Sequence, residues 1–114
     1  MEFRKQKPIY LQIAERLMEQ VLAGQLAADD RMPSVRDVAA AMGVNPNTVM
    51  RTFEHLQGEA IIYNRRGVGY FVSPDAKEKV LAEQRREFLE EELPLIRQKM
   101  QVLGIDLKQL IDNK

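Results

Sequence analysis

The chain has 114 residues, 45% hydrophobic and 30% charged, which suits one compact domain or a small domain with a helical appendage. Cysteine is absent and His55 is the single histidine, which excludes disulfides, thiolate metal sites, cysteine nucleophiles and any His-pair mechanism within one chain. Lys/Arg and Asp/Glu balance at 17 each, nine against eight through Pro74 and eight against nine beyond it, so a nucleic-acid partner would have to be met by the placement of charge.

The opening stretch Met1-Glu2-Phe3-Arg4-Lys5 is charged, with no apolar signal region behind it. The longest apolar run, Val38–Val44, is far short of the ~18 residues a membrane span needs. The expectation is a cytoplasmic protein with no membrane partner.

Pro8 suits a first helical position, where its missing N–H costs nothing. Ile9, Ile13, Leu17 and Val21 then recur every fourth residue among polar neighbours, predicting an amphipathic helix that ends near Gly24. Asp29-Asp30 reads as loop. Ser34 followed three residues later by Asp37 is a capping-box variant, opening a short helix through Val38-Ala39-Ala40-Ala41-Met42 that stops at Gly43. Asn45 is a good N-cap, with Pro46 behind it. Val49, Phe53, Leu56 and Ala60 form the apolar face of the next helix, opposite Asn47, Arg51, Glu54 and His55. Two helices joined by so tight a turn predict a helix-turn-helix, with 46–58 as its reading helix.

Ala60-Ile61-Ile62-Tyr63 and Tyr70-Phe71-Val72 are β-rich segments around a basic tip at 64–69, a hairpin pattern. The predicted fold is mainly α with a small β-hairpin: a winged helix-turn-helix over 1–74, followed by a helical tail over 75–114. In the tail, Leu89, Leu93, Ile96, Met100 and Leu103 keep the rhythm of helix–helix seams, and Leu81, Phe88, Leu95 and Val102 add a row at sevens. Pro94 lies within the stripe and should break or kink the helix before it. Such a stripe must be buried on the winged domain, on a second copy, or on both.

A major groove admits one helix, whose leading side chains meet base edges. Asn45, Asn47, Thr48 and Arg51 lie on that end or face of the reading helix. Arg36 can clamp a phosphate from the preceding helix, and Arg65 and Arg66 can enter the neighbouring minor groove. His55 reads as a polar surface residue, Tyr10 as packing, and Glu90-Glu91-Glu92 as a solvated face. Gly67-Val68-Gly69 lies between strands rather than before a helix, so it is no phosphate loop. No nucleophile–base pair can be assembled, and neither metal nor cofactor is expected. A rival reading is a winged-helix protein-interaction module without DNA binding, although such a surface would sooner show exposed aromatics or leucines than arginines at the tip.

Pro8-Ile9-Tyr10-Leu11-Gln12-Ile13, Met32-Pro33-Ser34-Val35-Arg36-Asp37-Val38-Ala39, Gly43-Val44-Asn45-Pro46-Asn47-Thr48-Val49 and Arg65-Arg66-Gly67-Val68-Gly69-Tyr70-Phe71-Val72 together resemble the GntR family of bacterial transcription regulators, over residues 8–73. The resemblance implies DNA contacts from Arg36, Asn45, Asn47, Thr48, Arg51, Arg66 and Gly67. Met32 stands where the family more usually has leucine, and Val68 where lysine is common. The short tail resembles the YtrA subfamily. That likeness implies a homodimer joined through Leu81, Phe88, Leu89, Leu93, Ile96, Met100 and Leu103, often controlling transporter genes, with double-stranded operator DNA as partner. No sensory domain is visible, so the sequence leaves any small-molecule effector unknown.

Overall fold

The computed structural model describes residues 7–112; the charged opening pentapeptide lies outside them. The chain runs α1 (Ile9–Leu22), α2 (Val35–Met42), α3 (Pro46–Gly58), β1 (Ile62–Arg65), β2 (Gly69–Val72), α4 (Ala76–Glu87), a π-helical turn (Phe88–Glu92), α5 (Leu93–Leu103) and α6 (Leu107–Asp112). Among the described residues no helix is long and apolar enough to cross a membrane. The chain divides into two compact units, one ending at Ala82 and the other beginning at Glu83.

In the first unit α3 packs on both α1 and α2. From α1 come Ile13, Ala14, Leu17, Met18 and Val21, all buried, as the four-residue spacing of the apolar side requires. Ile9 continues that spacing yet is half exposed, because it borders an open cleft of about 380 Å³ with Gln12, Arg16, Met42 and Val44. Pro8 is the extended residue just before the helix rather than its first residue; its carbonyl accepts from the amides of Leu11 at 3.0 Å and Gln12 at 3.1 Å. At α2 the Ser34 hydroxyl accepts from the Asp37 amide at 3.0 Å, and Gly43 closes the helix. Val49, Phe53 and Leu56 of α3 complete the core with Ile61, Ile62 and Val72 of the wing. Each such side chain contributes roughly 1.5–3 kcal/mol by leaving water. Ala76 and Val80 are also buried in this core, so the unit takes in the start of α4 and ends after Ala82 rather than at Pro74.

Ala60 is not on the helix face where its spacing placed it, nor is it in a strand. The Ile61 amide donates to the Leu56 carbonyl and the Ala60 amide to that of Gln57, both at 2.9 Å. These two bonds define a Schellman end, which forces Ala60 into left-handed backbone at φ 60°. Glycine lacks the Cβ strain of that conformation. Ala60→Gly is therefore expected to raise the stability of the winged unit by about 1 kcal/mol, read as a higher denaturation midpoint; a lower midpoint would contradict the strain.

The hairpin pairs Ile62 with Val72, Tyr63 with Phe71, Asn64 with Tyr70 and Arg65 with Gly69. Strand β1 thus reaches Arg65, and the turn proper is Arg66-Gly67-Val68, closed by the Val68 amide on the Arg65 carbonyl at 2.9 Å. Gly67 takes φ 76° at the third position of that turn, where a side chain would be strained. Residues 29–32 line the other edge of β2. Asp29 donates to the Val72 carbonyl and Val72 to that of Asp30, both at 2.8 Å, and Met32 donates to that of Tyr70 at 2.7 Å. Asp29-Asp30 is therefore more than a loop. The Tyr63 hydroxyl donates to Asp29 Oδ1 at 2.9 Å, and that carboxylate raises the Tyr63 phenol above its usual pKa.

In the second unit the regular helix is interrupted just before Pro94, as its position predicts, by a π-helical turn rather than by a loss of helix. The Leu93 amide donates five residues back, to the Phe88 carbonyl. This widened turn leaves Pro94 in the first turn of α5, where an amide has no obligatory partner. Arg86 donates to Glu83 Oε2 at 2.7 Å and to Glu90 Oε1 at 3.1 Å, and Glu91 comes within 3.6 Å of the same guanidinium. Two of the three consecutive glutamates thus meet a cation of the chain itself. The bonds to Glu83, and then to Glu90, push the pKa of Arg86 further up and keep it charged.

Candidate nucleic-acid interface

The leading end of α3 is built by Asn45, whose Oδ1 accepts from the Asn47 amide at 2.7 Å. Pro46 behind it needs no acceptor, because it has no amide to satisfy. The inner side of α3 is fixed by the burial of Val49, Thr52, Phe53 and Leu56. Thr52 is held by more than packing: its hydroxyl lies 2.6 Å from the Tyr10 carbonyl, to which it donates. A donor bonded in this way carries no burial penalty, and the bond ties α3 to the first turn of α1.

The outer side presents Asn47, Met50, Arg51 and Glu54 to solvent, with Thr48 and His55 half-buried at its margin. Met50, Arg51 and Glu54 lie three, four and seven residues from Asn47, which puts the four on one helical face. The Arg51 guanidinium sits 4.2 Å from the centre of the Tyr10 ring, a cation–π contact that restrains its swing. His55 meets the same ring edge-on at 6.2 Å. One turn of α3 therefore clasps Tyr10 through Arg51, Thr52 and His55. A packing role for Tyr10 is legible in the sequence but these partners are not, and nor is the exposure of Met50, 39%. The spacing of Met50 from Asn47 is the available signal for its face.

Arg36 is exposed in the first turn of α2, and Arg65, Arg66 and Gly67 are exposed on the wing. Arg65 stands at the end of a strand rather than in the turn. Its guanidinium lies 5.1 Å over the Phe71 ring, which stacks on Tyr63 at 5.8 Å. All eight residues expected to face DNA fall in the first compact unit. Among the described residues no group of three or more His, Cys, Asp or Glu side chains could hold a metal ion.

The tail unit carries the second candidate surface. Phe88, Leu89 and Leu103 are exposed, whereas Leu93, Ile96 and Met100 are half-buried. The last three line a cleft of about 630 Å³ with Arg97, Ile105 and Leu107. Leu81 is also exposed, but it lies on the part of α4 that belongs to the first unit.

Residues 9–72 match the model of the gntR family of bacterial regulatory proteins. The chain is 32% identical to the HTH-type transcriptional regulator YhcF of Bacillus subtilis, over 97% of its own length and 90% of that protein. It is 35% identical to the HTH-type transcriptional repressor YtrA of the same organism, over 94% and 82%. A GntR-family regulator from Bacteroides thetaiotaomicron, known from its crystal structure, superposes with a TM-score of 0.79 at 41% identity, covering 92% of this chain and 91% of that one. With the winged helix-turn-helix as its DNA-binding unit, the chain belongs to the GntR family of bacterial regulatory proteins.

Proposed function

We propose that this regulator is a homodimeric repressor, without enzymatic activity, that acts in the bacterial cytoplasm on a two-fold symmetric operator. Each α3 enters a major groove with Asn45, Asn47, Thr48 and Arg51 leading. Arg36 holds the backbone, and Arg65, Arg66 and Gly67 of the wing lie against the adjacent minor groove. The observation that carries this reading is the division of α3: Val49, Phe53 and Leu56 are buried, while Asn45, Asn47 and Arg51 stay in solvent. A repressor role is supported by the name of the YtrA relative. A dimer is supported by the exposed apolar stripe of the tail and by the way symmetry doubles the contacts. By analogy with the same subfamily, the operator belongs to transporter genes.

A gel-shift assay with the fragment upstream of the protein's own gene, and with a genomic fragment library, tests the reading. The wild type should shift at least one fragment, and the R65A/R66A double variant should lose most of that binding. Arg51→Ala is expected to cost about 1–3 kcal/mol if the guanidinium reads a base, and to relax preference at one position per half-site. Failure of the wild type to shift any fragment would overturn the proposal.

A further inference from the structure

Arg31 makes contacts that none of the DNA-facing residues account for. Its backbone lies opposite Phe71 on the edge of β2 that residues 29–32 line, and its Nη2 donates to the Val68 carbonyl of the wing turn at 2.6 Å. The same guanidinium covers Gly69: a Cβ there would lie 3.3 Å from Arg31 Nε and 3.4 Å from Nη2. Such crowding, at φ 140°, makes glycine the residue that leaves room for the arginine.

We propose that Arg31 is a positioning residue that braces the wing turn so that Arg66 reaches the DNA, an inference that rests on the DNA-binding reading above. Strands of four residues joined by a short turn are marginal on their own, and within the turn one bond closes the loop. Arg31 adds a second from outside the hairpin, through a charged donor. A guanidinium suits the task because its planar fork can bond a carbonyl while lying flat over a glycine. The brace also explains how a solvent-exposed turn can hold a defined posture before DNA arrives, which limits the ordering cost of binding.

Two measurements decide the matter. Amide hydrogen exchange in the free protein reads the brace without DNA. In Arg31→Ala the amides of Val68 and Gly69 should exchange about tenfold faster, while those of α1 and α3 keep their rates. Unchanged exchange at the turn would overturn the proposal, and this arm stands even if no operator is found. The second is a double-mutant cycle on a shifted fragment with Arg31→Ala and Arg66→Ala. If Arg31 acts through the turn, the double variant binds no more weakly than Arg66→Ala alone. Independent, additive losses would instead make Arg31 a direct phosphate contact. Arg31→Lys keeps the charge but lacks the fork, so it should lose affinity as Arg31→Ala does; full retention would show that charge alone matters and would sink the brace.

Discussion

Phe53→Ala is expected to cost the winged unit about 3–5 kcal/mol, the range for emptying a buried aromatic site, and to lower its thermal midpoint by about 12 °C or more. The side chain has no exposed surface and meets the Tyr70 ring edge-on at 5.1 Å, so it joins the reading helix to the wing. Its loss removes contacts on both sides at once, and few domains of this size hold much more than 5–15 kcal/mol in reserve. Phe53→Leu keeps most of the volume and should cost less than about 1.5 kcal/mol. Circular dichroism melts separate these outcomes; an alanine variant melting within a few degrees of wild type would show that the core lies elsewhere.

The second large effect concerns assembly. Ile96→Asp places a carboxylate in the stripe that a second copy is proposed to cover. A charge left unpaired in an apolar contact is costly enough to convert the dimer into monomers in sedimentation. With one reading helix per particle, operator affinity should fall by roughly 10²–10⁴, the gain that linking two modules supplies. The melt of the winged unit should stay in place, since Ile96 lies outside it. A variant that still sediments as a dimer would remove Ile96 from the interface.

What sequence could show here is set by distance along the chain. The Ser34 and Asn45 caps, the Pro46 start and the inward row Val49, Phe53, Leu56 depend on neighbours within four residues, and all were legible. Ala60 misled because the helix end it occupies usually carries glycine; an alanine in left-handed backbone leaves no compositional mark. Arg65 resembles a tip residue because it adjoins Arg66 and Gly67, whereas the pairing with Gly69 places it in the strand. Pro94 predicts a break or kink just before it, and the interruption takes the form of a widened turn, a choice that the residue itself does not announce. The partners of Thr52, Arg51 and Arg31 lie 42, 41 and 37 residues away, and no local pattern announces a contact at that range. Helix tip and wing were therefore visible as pieces, while the clasp on Tyr10 and the brace on Val68 needed coordinates.

The widened turn at Phe88–Glu92 alters how the tail's spacing must be counted. An α-helix advances about 100° per residue, so an added residue in one turn rotates everything before it by about that much relative to everything after. Phe88 and Ile96 are eight apart, about 80° out of line on an unbroken helix; the surplus residue swings the phenyl ring round to within roughly 20° of Ile96 and roughly 40° of Leu103 beyond it. Removing one residue between Phe88 and Leu93 would straighten the turn into plain helix and leave the ring seven residues from Ile96, about 20° out of line as before, whereas straightening it with every residue present would turn the ring about 80° away from the Ile96 side.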